Sequence, residues 1–462
     1  MTEALHQLSA SALLRAYAAH ELSPVEVVRA TLKHIGAWEP RLHATYALDP
    51  AGAMGMAEAS QARWLKGAPQ GPLDGVPVMI KENIATTGVP VPLGTAATLL
   101  SPALADAPPA ARLREAGAVF LGKTTMPDYG MLSSGLSSFH PLTRNPWNLA
   151  LNPGGSSAGA AAGAAAGYGP LHLGTDIGGS VRLPAGWCGV FALKPSLGRI
   201  PIHPPYAGRV AGPMTRTVED AALMMGPLSR PDRRDTMSLP WQDIPWLQLE
   251  RDLRGLRIGL WLDAGFGLPL DPEIRSAVEA AASRFEAAGA QIELLPPFLQ
   301  RSMLEGMDDF WRTRFWLEFS ALPEARRALI LPFIAEWARG GEGLSGERVF
   351  RGQAQMAALR DAAVAACAPF DFVLSPTAPV PAFAAELPCP TNDPALPFEH
   401  IVFTLPFNMS EQPAASINGG YTAAGLPIGL QIVGARHDDL GVLQLARAWE
   451  QLRPLARPWP GP

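Results

Sequence analysis

The chain has 462 residues, 48% of them hydrophobic, and a formal net charge of −5 at pH 7. Such a length accommodates two or three ordinary domains or one large α/β unit, with enough apolar material for an extensive core. The acidic balance excludes the basic footprint of a DNA- or RNA-binding protein. Cys188, Cys367 and Cys389 are odd in number and far apart, which excludes a disulfide framework and zinc-ligand spacing and fits a reducing compartment.

Residues 1–8 carry an early acid, Glu3, and no basic segment followed by an apolar run, so no signal peptide is expected and the protein is read as cytoplasmic. Residues 7–65 space Leu, Val and Ala helically, and Ser23-Pro24 is a helix-start signal for 25–38. Over 76–198, short apolar runs alternate with Gly/Pro turns and small-residue helices, the βαβ pattern of a largely buried sheet. The small-residue stretch 158–169 is too short and too rich in Gly and Ala to span a bilayer. Residues 240–250 read as a surface connection. Strands over 256–262 and 291–295 flank an amphipathic helix over 272–288. Further strands fall at 372–374, 414–417 and 428–433, and a helix over 438–452 closes the pattern. The expected fold class is α/β: residues 1–462 form a single α/β/α domain with a mixed, twisted central sheet covered by helices. Within it, 1–65 are N-terminal helices, 71–223 a motif-dense core and 300–355 a helical elaboration near the substrate entrance.

Lysine is scarce: Lys33, Lys66, Lys81, Lys123 and Lys194, with arginine supplying most positive charge. Lys81 closes the apolar run Val78-Met79-Ile80. Downstream, Gly154-Gly155-Ser156-Ser157-Ala158-Gly159 and Ile177-Gly178-Gly179-Ser180 each place a serine after a Gly-Gly pair. A serine hydroxyl attacks poorly until a base removes its proton. No histidine lies close in sequence to either serine, and arginine cannot lose a proton whereas a buried lysine can. The pattern therefore points to a Ser-Ser-Lys arrangement. His172 lies in an apolar run and reads as a core residue.

The region 71–223 resembles the amidase signature family, serine hydrolases with a Ser–cis-Ser–Lys triad. The resemblance rests on Pro72-Leu73-Asp74-Gly75-Val76-Pro77, Gly122-Lys123-Thr124, Thr143-Arg144-Asn145-Pro146-Trp147, and Thr175-Asp176-Ile177-Gly178-Gly179-Ser180. It continues through Gly189-Val190-Phe191-Ala192-Leu193-Lys194-Pro195-Ser196 and Gly212-Pro213-Met214-Thr215-Arg216-Thr217-Val218-Glu219-Asp220, with a last match at Gly425-Leu426-Pro427-Ile428-Gly429-Leu430-Gln431-Ile432-Val433-Gly434. The sequence departs from the usual Gly-Gly-Ser-Ser-Gly-Gly at Ala158, a mild change at a helix start.

The resemblance implies Ser180 as nucleophile, Ser156 as bridge with a cis peptide, and Lys81 as base. The N–H groups of Ile177, Gly178, Gly179 and Ser180 are expected to form the oxyanion hole. Ser157, Thr175, Asp176 and Arg182 support the loop, Asp176 and Arg182 as a pair, and Gly130 and Met131 border the acyl pocket. To act as a base Lys81 must lose about 3 pKa units, on the order of 4 kcal/mol; burial among Val78, Met79 and Ile80 supplies this if Glu82 points elsewhere. No cofactor and no metal are expected. The expected partner is a small-molecule amide, carbamate or ester, with no nucleic acid, no membrane anchor, and a homodimer as assembly.

Trp311, Phe315 and Phe319, at i, i+4 and i+8, read either as an ordinary packed helix face or as an apolar wall of the substrate entrance. That wall and the scarcity of lysine favour a neutral, apolar or aryl substrate. Two other readings compete. Gly155-Ser156-Ser157-Ala158-Gly159 fits the nucleophile elbow of an α/β-hydrolase, with Ser157 attacking, although Leu149-Ala150-Leu151-Asn152-Pro153 makes a poor preceding strand. The glutaminase subunit of a tRNA-dependent amidotransferase belongs to the same family; Thr125-Met126-Pro127-Asp128-Tyr129-Gly130-Met131 does not resemble the form expected there.

Overall fold

The computed structural model describes residues 4–454 and 456–462. Eleven strands form one sheet: β1 Thr45–Tyr46, β2 Pro77–Lys81, β3 Val119–Thr124, β4 Leu171–Asp176, β5 Phe191–Lys194, β6 Val210–Thr215, β7 Arg257–Leu260, β8 Gln291–Leu294, β9 Phe372–Pro376, β10 Ala414–Tyr421 and β11 Pro427–Gly434. Their order across the sheet is β1-β3-β2-β4-β6-β5-β10-β11-β9-β7-β8. β2 runs parallel to both β3 and β4, whereas β4 and β6 are antiparallel, so the sheet is mixed as expected.

Both faces of the sheet are covered, which is why its central strands read as continuous apolar runs. Side chains alternate across the sheet. Phe191, Leu193 and Ala211 pack with helix Val218–Leu228 and helix Asp439–Leu452. Ala192 and Met214, one residue out of phase, pack instead against helix Ala158–Ala166 and helix Arg182–Cys188. The small residues of helix Ala158–Ala166 are required by close approach: a Cβ on Gly159 would lie 2.2 Å from the Ala44 carbonyl oxygen.

The expected elements over 256–295 and 372–452 are all present. Their edges shift by a few residues, with β10 extended to Tyr421 through a bulge between Asn418 and Gly420. The start signal at Ser23 is a full capping box. Ser23 Oγ accepts from Glu26 N–H, the Glu26 carboxylate accepts from Ser23 N–H, and the helix runs over Pro24–Leu42. Residues 240–250 carry no helix or strand, and Trp241 is exposed, but Trp246 and Leu249 are buried against the core. Over 300–355 the helices Arg301–Ser320 and Pro332–Arg339 pack with helix Gly346–Cys367 into a second apolar cluster.

Candidate active site

Lys81 ends β2 and Thr175-Asp176 end β4. Because these neighbours are parallel, with Ile80 opposite Leu173, their carboxyl ends emerge at the same edge of the sheet. Ligand sites of open α/β sheets favour such edges. The turn after β4 delivers Ser180. Ser156 arrives from the other side of the edge, on the loop that leads into helix Ala158–Ala166.

Lys81 is fully buried, and its Nζ donates to three hydroxyls: Ser156 Oγ at 2.7 Å, Ser157 Oγ at 3.0 Å and Thr175 Oγ1 at 3.1 Å. Asn83 Nδ2 adds a fourth link, donating to Thr175 Oγ1 at 3.0 Å. Burial pulls the Lys81 ammonium down to about 7, against the opposing charges of Asp176 and Glu82; Arg209 pushes in the same direction as burial. Glu82 does turn away. Its Oε2 lies 2.6 Å from His140 Nε2. The Gly155–Ser156 peptide is cis. Gly154, at φ +81, cannot be replaced without a clash, since a Cβ there would sit 2.3 Å from the Trp187 ring.

Asp176 and Arg182 are both buried and form the expected pair, Nη2 to Oδ1 at 3.0 Å and Nε to Oδ2 at 3.1 Å. Burial alone would raise the Asp176 carboxyl. The Arg182 charge and the hydrogen bonds from Arg182 and Asn408 override it and hold the group well below the usual carboxylate range. The same carboxylate accepts from Gly179 N–H at 2.9 Å and Val181 N–H at 3.1 Å, which pins the turn carrying Ser180. Gly179 N–H is thereby committed to Asp176 and differs from the expected oxyanion set. The N–H groups of Ile177, Gly178 and Ser180 have no protein acceptor among the described residues.

Ser156 and Ser180 open onto one cavity of about 520 Å³, with Thr175, Asp176, Ile177, Gly178, Gly130 and Met131 also on its wall. Trp311 and Phe315 line it too, while Phe319 lies beyond it in the helical cluster. The stripe is therefore divided by one helical turn, with Trp311 and Phe315 on the cavity wall and Phe319 in the packed helix face. Ser157 is placed otherwise than an attacking serine. It is fully buried, accepts from Lys81 and from Thr175 N–H, and donates to the Thr175 carbonyl. Leu151 makes only an isolated bridge, to Ala384, so the strand that a nucleophile elbow requires is missing there. The α/β-hydrolase alternative is corrected on both counts. His172 is buried on β4 and held neutral by burial, down to about 3.

Sequence reasoning passed over Asn83, although it stands two residues from Lys81. It also passed over Asn408, Thr404 and Gln431, which brace Arg182 from distant parts of the chain. No local pattern marks Thr404 or Asn408, and the motif that contains Gln431 does not reveal its partner. Tyr206, Arg209, Arg314 and Glu318 also stand on the cavity wall, and no motif in the sequence marks them.

The mixed sheet, with a lysine-to-serine contact and a second Gly-Gly-Ser turn at its carboxyl edge, is that of an amidohydrolase. The family model for Amidase matches residues 26–443, and the chain belongs to this family of hydrolases acting on amide C–N bonds. It is 34% identical to an acylamidase of Rhodococcus erythropolis over 99% of this chain and 98% of that one. It is 35% identical to the A component of the glutamyl-tRNA(Gln) amidotransferase of Myxococcus xanthus, over 94% and 95% of the two chains. The crystal structure of a bacterial aryl acylamidase superposes with a TM-score of 0.90 at 31% identity, covering 98% of this chain and 97% of that one.

Proposed function

We propose that the protein cleaves the C–N bond of a small apolar or aryl amide through an acyl-enzyme on Ser180, with Ser156 and Lys81 relaying the proton. The observation that carries this reading is the 2.7 Å contact between a buried lysine, lowered to about 7, and Ser156 Oγ on the cavity that Ser180 shares. Neutral Lys81 takes the proton of Ser156, and Ser156 takes that of Ser180, because a hydroxyl can accept and donate at once. Ser180 Oγ then bonds to the carbonyl carbon. The N–H groups of Ile177, Gly178 and Ser180 face the resulting oxyanion. The relay reverses to protonate the leaving nitrogen, the C–N bond breaks, and water later hydrolyses the Ser180 ester by the same route. Carbamates and esters enter by the same chemistry.

The acylamidase and aryl acylamidase relatives, with Trp311 and Phe315 on the cavity wall, support the apolar or aryl substrate. Gly130 borders the acyl side: a Cβ there would lie 3.3 Å from Ser156 Oγ. The test is Ser180→Ala, which is expected to abolish amide turnover and fluorophosphonate labelling while leaving the unfolding transition in place. Labelling that persists in this variant would refute Ser180 as nucleophile.

A second reading, the glutaminase component of a tRNA-dependent amidotransferase, is favoured by the 35% identity to the Myxococcus xanthus protein. Ammonia release from glutamine only when partner proteins are added would replace the first reading with this one. Aryl-amide turnover by the isolated chain upholds the first.

A further inference from the structure

On the cavity wall, the turn before β6 carries Tyr206 and Arg209, and helix Arg301–Ser320 carries Arg314 and Glu318. The Arg314 guanidinium stacks over the Tyr206 ring at 4.4 Å from its centroid and reaches Glu318 at 3.4 Å. Arg209 has no such carboxylate. It donates to the Pro204 carbonyl, and no carboxylate lies within ion-pair distance of it among the described residues. The Tyr206 hydroxyl is buried and has no hydrogen-bond partner among the described residues. On the cavity wall at this place, two guanidiniums and a free phenol face one carboxylate, that of Glu318; the Asp235 carboxylate acts on Arg209 from behind the wall, where it accepts from the Ile202 and Met237 N–H groups.

Arg209 is only partly exposed, and a charge withdrawn from water without a partner is costly. Burial and the charge of Arg314 both push its ionisation below the ordinary arginine value, although arginine keeps its proton. The position is also fixed relative to the reacting groups. Val210, the next residue, pairs across the sheet with Asp176, four residues before Ser180. A planar guanidinium suits two-point recognition of a carboxylate.

We propose that Arg209, with the Tyr206 hydroxyl and Arg314, is a subsite for a carboxylate on the non-reacting end of the substrate. The preferred amides are then anionic at that end, with an apolar or aryl segment lying along Trp311 and Phe315. This inference rests on the amidase reading for its substrate and adds to it a charge that the lysine count did not foresee.

The test compares 4-(acylamino)benzoates with the matching 4-(acylamino)toluenes, which share the aryl segment and differ in the carboxylate. In wild type, kcat/KM is expected to be at least about tenfold higher for the benzoates, and Arg209→Met or Arg314→Met to lower that ratio at least about fivefold. Using the ratio cancels any general loss from altered folding or from the influence of Arg209 on Lys81. A wild-type ratio at or below one, or a ratio that both variants leave unmoved, would overturn the subsite. Calorimetry separates the two layers. In Ser180→Ala the benzoate is expected to bind at least about tenfold tighter than the toluene, and adding Arg209→Met to remove the difference; equal affinities overturn the subsite. Preferential binding without any wild-type turnover would uphold the subsite and refute the amidase reading alone.

Discussion

The edge of the sheet around Lys81 and the helical wall around Trp311 bound one cavity but are built on opposite principles. The first is polar, crowded and small: three hydroxyls converge on one buried ammonium, and glycines bring backbones within contact distance. The second is apolar and aromatic, with Phe315 and Trp337 at 5.8 Å and Trp311 and Phe398 at 5.4 Å between ring centroids. Where chemistry is set by hydrogen-bond geometry, a single atom decides the outcome; where a wall is set by packing, neighbouring residues share the load. Substitutions at the edge should therefore remove activity outright. Substitutions on the wall should tune which substrate is used.

Beyond Ser180 and Lys81 themselves, the largest effect is expected at Ser156. Of the three hydroxyls that Lys81 contacts, only those of Ser156 and Thr175 belong to residues lining the cavity beside Ser180, and Ser156→Ala removes the nearer one. Amide kcat should fall about 10²–10⁴-fold, the scale of a lost proton-transfer step, with KM nearly unchanged. A loss under tenfold in steady-state kinetics would show that Thr175 carries the relay instead.

Next comes the brace behind the nucleophile. Asp176→Asn leaves the buried Arg182 guanidinium without its counter-charge, and about 3–5 kcal/mol of stability should go with it. Denaturant titration measures this. A change below about 1 kcal/mol would mean that the Thr404, Asn408 and Gln431 contacts to Arg182 suffice on their own.

The wall itself gives the smallest catalytic effect and the sharpest contrast. Phe319→Ala and Trp311→Ala should both cost about 3–5 kcal/mol in unfolding free energy, since both side chains are buried. Only Trp311→Ala, on the cavity side, should also change the kcat/KM ratio between bulky aryl and acetyl amides, by about tenfold. If Phe319→Ala shifts that ratio equally, the division of the stripe into wall and core is wrong.

The same contrast explains what the sequence made legible. Around Lys81, Ser156 and Ser180 the constraints are local and combine into ordered motifs, so residue type and spacing were enough to announce the groups. The helical wall announced only its periodicity, which core and pocket share; the division between Phe315 and Phe319 depends on where the turn after β4 sits, far away in sequence. The roles of Asn408 and Gln431 were hidden for the same reason, even though Gln431 sits in a recognised motif, because their partner Arg182 lies more than two hundred positions upstream. The commitment of Gly179 N–H to Asp176 was equally hidden, because a Gly-Gly-Ser motif fixes how freely the backbone turns but not which amide a carboxylate will take. The charge at Arg209 was misjudged because counting lysines overlooks the cation that this chain uses most.

The central claim is that Lys81 acts as a neutral base that returns its proton to the leaving nitrogen, and one measurement addresses it directly. Amide and ester analogues of one acyl group are compared across pH in wild type, Lys81→Ala and Lys81→Arg. With burial holding the ammonium near 7, the neutral form grows as pH rises, so wild-type amide kcat/KM should climb through about 7 and then level off. Lys81→Ala should lose several orders of magnitude on the amide and distinctly less on the ester, whose leaving alkoxide depends less on protonation. Lys81→Arg should do no better, since arginine keeps its proton. An active Lys81→Arg enzyme, or equal losses on both substrates, would show that Lys81 serves as a fixed positive charge and would contradict the relay.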